Sequence, residues 1–349
     1  MSSHEMIVTR RGFVSTSCRI LTAALAGAVA PIGPAFAQVR KDGTNDRAAR
    51  DADRLILLGT QGGPNYLPQR SESGNALVVD GVTYLIDCGY GTLGALIEAG
   101  LDYLEIANVF LTHLHDDHTS DLAALLSHQW TTGRIEPTTV HGPHGTRALV
   151  EAAVAFGAAN AAIRLVDEAR SVDPKDLFRG IDIAAPEKPT EIFADERVHV
   201  RAVENTHYPD EAREAMPHRS VAYRFDTPYR SIAFSGDTAY SPALVELARG
   251  ADVLVCETIE VDAMRRAFET KVAAGAYADN PEGIWHHIVT THTSTEDAGR
   301  MAAEAEVGLL VLSHLVPGAL SDLPDEAYIE GVRKTFSGRV VVGRDFMEL

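Results

Sequence analysis

Cysteine is scarce in this sequence of 349 residues, which contains only Cys18, Cys88 and Cys256. We expect Cys18 to be removed with an N-terminal processing segment, which leaves two thiols in the mature chain. Two cysteines are too few for a disulfide framework, even in an oxidising compartment. We therefore expect Cys88 and Cys256 to be buried thiols, although the sequence leaves a bridge between them open.

Long apolar runs are also absent after residue 40, where none approaches the roughly 20 residues needed to span a bilayer. Basic residues are few, with 31 Lys and Arg against 49 Asp and Glu, and the formal net charge is -18. This charge creates a mostly negative field, which repels nucleic-acid phosphates and anionic membranes unless a local basic patch intervenes. We therefore predict a small-molecule substrate, no nucleic-acid partner and no stable membrane insertion, while a homodimer stays open.

The N-terminus has the pattern of an export signal. Basic residues precede an apolar run over residues 20–30, and the small-x-small site Ala35-Phe36-Ala37 follows it. Arg10 and Arg11 resemble a twin-arginine signal, a route used by proteins that fold before crossing the membrane. An ordinary secretory signal with a chance arginine pair is the alternative. We predict a twin-arginine-type signal peptide over residues 1–37, a linker over 38–53, and a periplasmic or secreted mature protein.

The remaining chain, residues 54–349, has the pattern of an α/β protein, in which short β-rich runs alternate with helical stretches. Its composition, 45% hydrophobic and 23% charged, suits one large domain or two small ones. Predicted strands cover 55–58, 76–79, 83–86, 108–111, 198–203, 221–225, 231–234, 253–255, 309–312 and 340–342, and predicted helices lie near 119–127, 145–157, 242–249, 260–274 and 295–306. Hairpin signals at Asp80-Gly81 and Thr227-Pro228 predict mixed sheets. Residues 163–196 show the least pattern, which predicts a surface insertion.

Metal-binding side chains concentrate where a predicted strand ends, at His113, His115, Asp117 and His118. Neutral imidazole and carboxylate suit Zn²⁺, and a loop between a strand and a helix can turn all four side chains inward. A lone histidine is more often a surface or core residue, and an Asp-Asp pair is more often a helix cap. The complete His-x-His-x-Asp-His string is specific, however, and predicts a metal site.

Four ligands can bind two metals only with help from elsewhere in the chain. His207, Asp237 and His314 each follow a predicted strand. Ligands at successive strand ends are what the active-site rim of an α/β sandwich provides. Each residue alone also fits a turn or a solvated loop, but the set in this order favours a shared metal site.

The motif string and the order of the outlying ligands resemble the metallo-β-lactamase superfamily over essentially the whole chain from Leu55 to Leu349. Four segments are similar to its ribonuclease Z and bacterial metallo-arylsulfatase branch: Leu-Gly-Thr-Gln-Gly-Gly-Pro at 58–64, Ile-Asp-Cys-Gly-Tyr-Gly at 86–91, Cys-Glu-Thr at 256–258 and Thr-His-Thr-Ser-Thr at 291–295. This resemblance implies an αββα sandwich of two mixed β-sheets flanked by helices, with a hydrolase domain over 54–349.

The resemblance also implies a set of ligands for two divalent ions, for which we favour zinc. The implied ligands are His113, His115 and His207 for one ion, Asp117, His118 and His314 for the other, and Asp237 as a bridge. Two such ions share a water, lower its pKa toward neutrality and thereby produce a hydroxide nucleophile.

Further residues receive roles from the same pattern. Asp117 would be a ligand that also steers the proton of the hydroxide. His292 would donate a hydrogen bond or proton to the transition state or leaving oxygen, while Glu257 would orient its ring and raise its pKa. His292 also fits a helix-start residue beside a capping box at Ser294. We interpret Asp87 as a partner of the ligand loop and not as a ligand.

The expected reaction is hydrolysis of a small sulfate or phosphate ester, as in an arylsulfatase or phosphodiesterase, with Tyr208 and Trp285 in the pocket wall. Core packing is the alternative for both aromatic residues. Lactone or amide hydrolysis uses the same metal core and is the alternative function, and mononuclear iron persulfide dioxygenases share the fold. Ribonuclease Z activity is less favoured, because residues 163–196 lack the Gly/Pro-rich arm of that enzyme and an export signal separates the protein from transfer RNA. β-Lactamases of this fold lack an acid equivalent to Asp237.

Overall fold

The computed structural model describes residues 52–63, 69–318 and 323–349 of the chain. The predicted signal peptide over 1–37 lies outside the described residues, as does the predicted linker except for its last two residues.

The first of two β-sheets contains six strands, which lie side by side in chain order. They are β1 (Asp53–Gly59), β2 (Gly74–Val79), β3 (Val82–Ile86), β4 (Asn108–Phe110), β5 (Thr138–Gly142) and β6 (Phe178–Asp182). Strands β1 to β3 pair antiparallel, whereas β3 to β6 pair parallel. The sheet is therefore mixed.

The second sheet contains seven strands in the reverse order, from β13 at one edge to β7 at the other. They are β7 (Thr190–Ala194), β8 (His199–Glu204), β9 (Val221–Asp226), β10 (Ser231–Phe234), β11 (Val253–Ile259), β12 (Leu309–Val316) and β13 (Arg339–Val342). Strands β10 to β13 pair parallel, and β7 to β10 pair antiparallel. Both predicted hairpins are confirmed, because β2 and β3 flank Asp80-Gly81 and β9 and β10 flank Thr227-Pro228.

The side-chain alternation along each strand divides the core into layers. In β1, Leu55 belongs to a buried cluster that contains residues of both sheets, whereas Ile56 belongs to a cluster that the first sheet shares with helices. Phe110 of β4 and Phe225 of β9 meet in the central layer, with ring centroids 5.1 Å apart. The expected αββα sandwich of two mixed sheets is thus confirmed.

The outer layers consist of helices, several of which begin at polar caps. These helices are α1 (Thr92–Glu98), α2 (Leu122–Thr132), α3 (Thr146–Phe156), α4 (Ala158–Asp167), α5 (Pro174–Leu177), α6 (Asp210–Ala215), α7 (Pro242–Ala248), α8 (Val261–Ala273), α9 (Pro281–Thr291), α10 (Thr295–Glu304) and α11 (Asp325–Arg333). The hydroxyl of Ser294 accepts a hydrogen bond from the backbone N–H of Asp297, 3.1 Å away. The predicted cap at the start of α10 is therefore confirmed.

The prediction of a surface insertion over residues 163–196 is wrong. This segment contains β6, which pairs with β5, and β7, which pairs with β8, so it supplies an edge strand to each sheet. Edge strands tolerate exposed charges, because one side of the strand makes no sheet contacts. The two short strands were therefore not recognisable from this polar sequence, which prolines interrupt.

Two further expectations concern cysteines and membranes. Cys88 and Cys256 are free and buried, as predicted. Among the described residues, no single helix has the length and hydropathy needed to cross a membrane, although the bent pair α3 and α4 meets that criterion jointly.

Candidate active site

The predicted ligands lie just beyond the ends of strands from both sheets. His113 is three residues past the end of β4, His207 three past β8, and Asp237 three past β10. His314 is the exception, because β12 extends to Val316 and contains it, whereas we predicted that it follows a strand ending at residue 312. Asp117 and His118 belong to a short 3-10 turn directly after His115. The structure brings all seven predicted ligands together.

The first group of candidate ligands is His113, His115, His207 and Asp237, whose ligand atoms all lie within 4.8 Å of one another. The Nε2 atom of His113 lies 3.0 Å from Nδ1 of His115, which in turn lies 3.2 Å from Nε2 of His207. Three convergent imidazole nitrogens beside a carboxylate form a donor set that suits a divalent ion such as Zn²⁺.

The second group is Asp117, His118, Asp237 and His314, whose ligand atoms also lie within 4.8 Å of one another. The Nε2 atom of His314 lies 3.2 Å from Oδ2 of Asp117 and 3.2 Å from Oδ2 of Asp237. Nε2 of His118 lies 3.1 Å from the other oxygen of Asp237. Asp237 therefore belongs to both groups and presents one carboxylate to two potential ion positions.

Hydrogen bonds outside the two groups orient the ligand rings. Nδ1 of His118 lies 2.9 Å from Oδ2 of Asp87, and Nδ1 of His207 lies 3.0 Å from the carbonyl oxygen of Thr291. In each ring, an Nδ1–H donor leaves Nε2 free to face the site. Asp87 also accepts the backbone N–H of Thr112 at 2.8 Å. Asp87 thus contacts a candidate ligand but belongs to neither group.

Burial and the neighbouring carboxylates have opposite effects on the pKa values of the candidate ligand histidines. Burial lowers the pKa of His113 and of His207 well below the usual value, which favours neutral rings. Burial also opposes a charge on His118 and His314, but nearby carboxylates, above all Asp237, outweigh it and raise both pKa values well above the usual range. Without a bound ion, protons on His118 and His314 offset the negative charge of the nearby carboxylates. A bound cation offsets the same charge in a metal site.

Unpartnered atoms support the same assignment. Nε2 of His118 and Oδ1 of Asp237 are buried 3.1 Å apart, and neither makes a well-formed hydrogen bond with any described residue. A buried polar atom without a partner costs about 1–3 kcal/mol. A divalent ion between these atoms would satisfy both, so the residues fit a metal.

His292 and Glu257 form a pair beside the two groups. Nδ1 of His292 lies 2.9 Å from Oε2 of Glu257, and the two side chains are only 13% and 1% exposed. Burial opposes the charge on His292, but Glu257 outweighs it and raises the pKa of the ring. Burial raises the pKa of Glu257, against the effect of His292. Because Glu257 occupies Nδ1, the Nε2 atom of His292 is left for another partner.

A β-bulge sets the position of His314. Glu257 pairs with Ser313 and the next residue, Thr258, pairs with Leu315, so His314 has no partner residue in β11. His314 also has a φ of 43°, in the left-handed region. A bulge bends the strand and redirects a side chain, and it turns His314 toward the ligands here.

The loop after β1 contacts the second ligand group through its backbone. The N–H of Gly63 donates to Oδ2 of Asp117 at 2.9 Å. A Cβ atom on Gly62 would lie 2.6 Å from Nδ1 of His314, closer than real contacts allow. Glycine is therefore required at position 62 for the close approach to His314.

A cavity of about 280 Å³ opens beside the ligands and is lined in part by His115, Asp117, Asp237, His292 and His314. Helix α9 also lines the cavity, although the sequence pattern did not predict a helix there. Asn280 caps α9 and Pro281 follows as its first residue, a recognisable start signal.

One face of α9 reaches the cavity. Ile284, His287 and Ile288 all line it, at the spacing of a single helix face. This spacing is the signal that could have identified them. Burial lowers the pKa of His287 to about 4, so its ring is neutral near pH 7.

Tyr208 and Trp285, the two aromatic residues predicted for the pocket wall, do not line this cavity. The Tyr208 ring is 4.9 Å from the His207 ring and 5.7 Å from the His115 ring, centroid to centroid, which puts it beside the first ligand group. Trp285 packs against Phe268 at 5.3 Å and lines a separate surface groove with Arg265. Neither ring is among the described residues that line the cavity at the ligands.

Comparisons with known proteins agree with this architecture. A family model described as a beta-lactamase superfamily domain matches residues 83–315. Ribonuclease Z of Mycobacterium bovis is 28% identical over 294 residues, which cover 83% of this chain and 95% of the relative. Ribonuclease Z of Methanosarcina mazei is 26% identical over 336 residues, covering 85% and 97%. Among solved structures, human tRNase Z short form has a TM-score of 0.57 at 22% identity, covering 85% of this chain and 98% of that chain. The resemblance to the superfamily and to its ribonuclease Z branch is confirmed.

The comparisons also correct one prediction. The prediction that excluded nucleic acid is wrong, because the curated relatives are named ribonucleases. It relied on the net charge of -18, which describes the long-range field and not the contacts at a site. Four of the counted acids, Asp87, Asp117, Asp237 and Glu257, are buried in the ligand cluster. The fold typically binds two divalent metals, which would neutralise part of that charge.

Proposed function

This chain belongs to the beta-lactamase superfamily, whose fold it shares with metal-dependent hydrolases, and we propose that it hydrolyses phosphodiester bonds. The carboxylate of Asp237 carries the proposal, because it belongs to both candidate ligand groups and its Oδ1 makes no hydrogen bond within the described part of the chain. Two ions that share one carboxylate lie close enough to act on the attacking and leaving oxygens of one displacement. RNA and small phosphodiesters contain the same scissile bond, so both are candidate substrates.

We infer that the seven ligands hold two zinc ions, because imidazole and carboxylate donors suit zinc. Bound ions would supply positive charge, which lowers the pKa of a water toward neutrality and stabilises the charge that grows on phosphorus. The ligands are divided as follows: His113, His115 and His207 in one group, Asp117, His118 and His314 in the other, with Asp237 shared.

Asp117 has a second task in this proposal. Its Oδ2 accepts the N–H of Gly63 and lies 3.2 Å from Nε2 of His314. The side chain also lines the cavity. A carboxylate fixed through one oxygen can use the other to accept or direct the proton of the attacking water.

His292 would hold the proton for the leaving group. Hydrolysis of a phosphodiester expels an alcohol, which leaves more readily when its oxygen is protonated. The pair with Glu257 fixes the ring and keeps a proton on it, while Nε2 is available at the cavity that His292 lines. Glu257 is therefore a positioning residue, and His292 is the proposed proton donor.

The test of this function measures metal content and hydrolysis in the same preparation. We expect about two ions per mature chain and hydrolysis of bis(4-nitrophenyl) phosphate or of single-stranded RNA. A chelator should abolish the activity, and added Zn²⁺ should restore it. The panel also contains aryl sulfates, lactones and β-lactams. Full activity with one ion per chain, or turnover confined to lactones, would overturn the proposal.

We also propose that residues 1–37 export the protein through the twin-arginine route. Replacing Arg10 and Arg11 by Lys should retain the protein in the cytoplasm, because a receptor recognises the arginine pair and not only its charge. Cell fractionation with immunoblotting measures the distribution. Arg19→Lys makes the same chemical change outside the pair and should leave export unchanged. Normal export of the double variant would indicate the ordinary secretory route.

A further inference from the structure

The cavity beside the candidate ligands has a lining of two unlike parts. Its polar part contains the candidate ligands and His292. Its apolar part contains Met264 of α8, Ile284 and Ile288 of α9, and Val316 at the end of β12. An apolar surface beside a reactive centre favours the binding of an apolar group.

The apolar part is a packed structure and not a chance exposure. Met264 is 5% exposed and forms a small buried cluster with Phe268, against which Ile284 and Ile288 pack. Trp285 packs against the same cluster and contacts Phe268, with ring centroids 5.3 Å apart. This contact anchors α9 to α8 and keeps the isoleucine face toward the cavity.

The apolar surface and the proposed proton donor His292 lie along the same helix, α9. α9 ends at Thr291 and His292 is its C-terminal cap. Ile288 precedes His292 by about one turn and Ile284 by about two, or roughly 6 and 12 Å along a helix. A group whose oxygen takes the proton of His292 can therefore extend along α9 over both isoleucines.

We propose that Met264, Ile284 and Ile288 form a subsite for an uncharged, apolar leaving group, such as a substituted phenol. This inference rests on the proposed phosphodiester hydrolysis. In that reaction a water oxygen bonds to phosphorus and releases a proton toward Asp117, the bond from phosphorus to the leaving oxygen breaks, and that oxygen takes the proton from His292, which solvent then restores. The subsite holds the departing alcohol while its bond breaks.

The charges of the lining support an uncharged group. The described lining residues include three carboxylates, Asp116, Asp117 and Asp237, but no Lys or Arg. Bound ions would neutralise Asp117 and Asp237, whereas Asp116 is exposed and belongs to neither ligand group. An anionic substituent on the leaving group would meet no Lys or Arg among these residues, and the proton on His292 is already paired with Glu257. Each buried methylene, in contrast, favours binding about 4-fold.

The test compares two methyl aryl phosphodiesters, with 4-tert-butylphenol and 4-(2-hydroxypropan-2-yl)phenol as leaving groups. These phenols are similar in size and acidity but differ in polarity. We expect the zinc-loaded protein to show a kcat/KM about 10-fold higher for the tert-butyl ester. Ile288→Thr, which keeps a β-branched side chain, should remove most of this preference. Val289→Thr changes the adjacent residue, which does not line the cavity, and should retain it.

Binding of free 4-tert-butylphenol, measured by calorimetry, tests the subsite without turnover. The zinc-loaded protein and Val289→Thr should bind it alike, and Ile288→Thr about 10-fold more weakly. Hydrolysis of both esters at equal rates, or equal effects of the two substitutions, overturns the subsite but leaves the proposed function standing. Phenol binding that depends on Ile288, without hydrolysis of any phosphodiester, supports the apolar subsite and overturns the proposed function.

Discussion

Asp237→Asn is expected to reduce the metal content from about two ions per chain to one or fewer, and to lower turnover by at least about 10³-fold. Asp237 belongs to both ligand groups and contacts His118 and His314 at 3.1 and 3.2 Å. Asparagine retains the shape of the side chain but loses the negative charge that two ions would share. Loss of a residue that only supports a ligand already weakens metal binding about 10- to 100-fold. Metal analysis and initial rates at saturating substrate measure both effects.

Asp226→Asn provides a matched control on β9. This carboxylate pairs with Arg201 at 2.7 Å and Arg224 at 2.8 Å, and belongs to neither ligand group. Its loss should lower the thermal midpoint of unfolding while metal content stays at the wild-type value. A chelator should lower the midpoint of the wild-type protein more than that of Asp237→Asn, because the variant has less bound metal to lose. Asp237→Asn with two ions and near wild-type rates would remove the bridging role.

The candidate metal ligands could be identified because their chemistry is local to the sequence. Three imidazoles and a carboxylate within six positions satisfy one requirement of a metal site without knowledge of the tertiary structure. His207 and Asp237 were identified from their places after apolar runs, since strand ends meet at the rim of a sandwich. The structure brings these residues together, with the ligand atoms of each group within 4.8 Å of one another.

The apolar lining was not predictable in the same way. Helical spacing identifies Ile284 and Ile288 as one face of α9, but it does not state whether that face meets a core, solvent or a cavity. Packing against α8 decides the question: Trp285 contacts Phe268, whereas Ile284 and Ile288 also line the cavity. The bulge at His314 could not be predicted either, because it depends on the register between β11 and β12. Tertiary contacts determine both features.

His292→Ala is expected to leave metal content and folding intact while lowering turnover by about 10²- to 10⁴-fold, the usual scale for a general acid or oxyanion donor. Nδ1 of His292 is held by Glu257 at 2.9 Å, and the ring lines the cavity. The side chain also lies near Asp237 and His314, so metal analysis is the control that separates proton donation from metal binding. Asp117→Ala should reduce both metal content and turnover.

The leaving group provides a sharper measurement. A poor leaving group needs protonation, so esters of simple alcohols or unsubstituted phenol should lose most from His292→Ala. An activated 4-nitrophenyl ester needs little assistance and should lose least. A plot of log kcat/KM against the acidity of the leaving group should therefore become steeper in the variant. Equal small losses across the series, or wild-type rates on a lactone, would contradict the proposed proton transfer.

Glu257→Gln isolates the positioning role within the pair. Its loss in turnover should be smaller than that of His292→Ala, and the double variant should resemble His292→Ala alone, because an orienting residue has no effect once its partner is gone. The pH dependence of the rate distinguishes this positioning role from a purely structural one, because loss of a structural contact would not shift the pH at which the rate falls. Glu257 raises the pKa of His292, and only the protonated ring can donate, so the rate falls as the pH rises through that pKa. Removing the charge of Glu257 should move this fall to lower pH. An unchanged basic limb in Glu257→Gln would show that the pair does not control the proton.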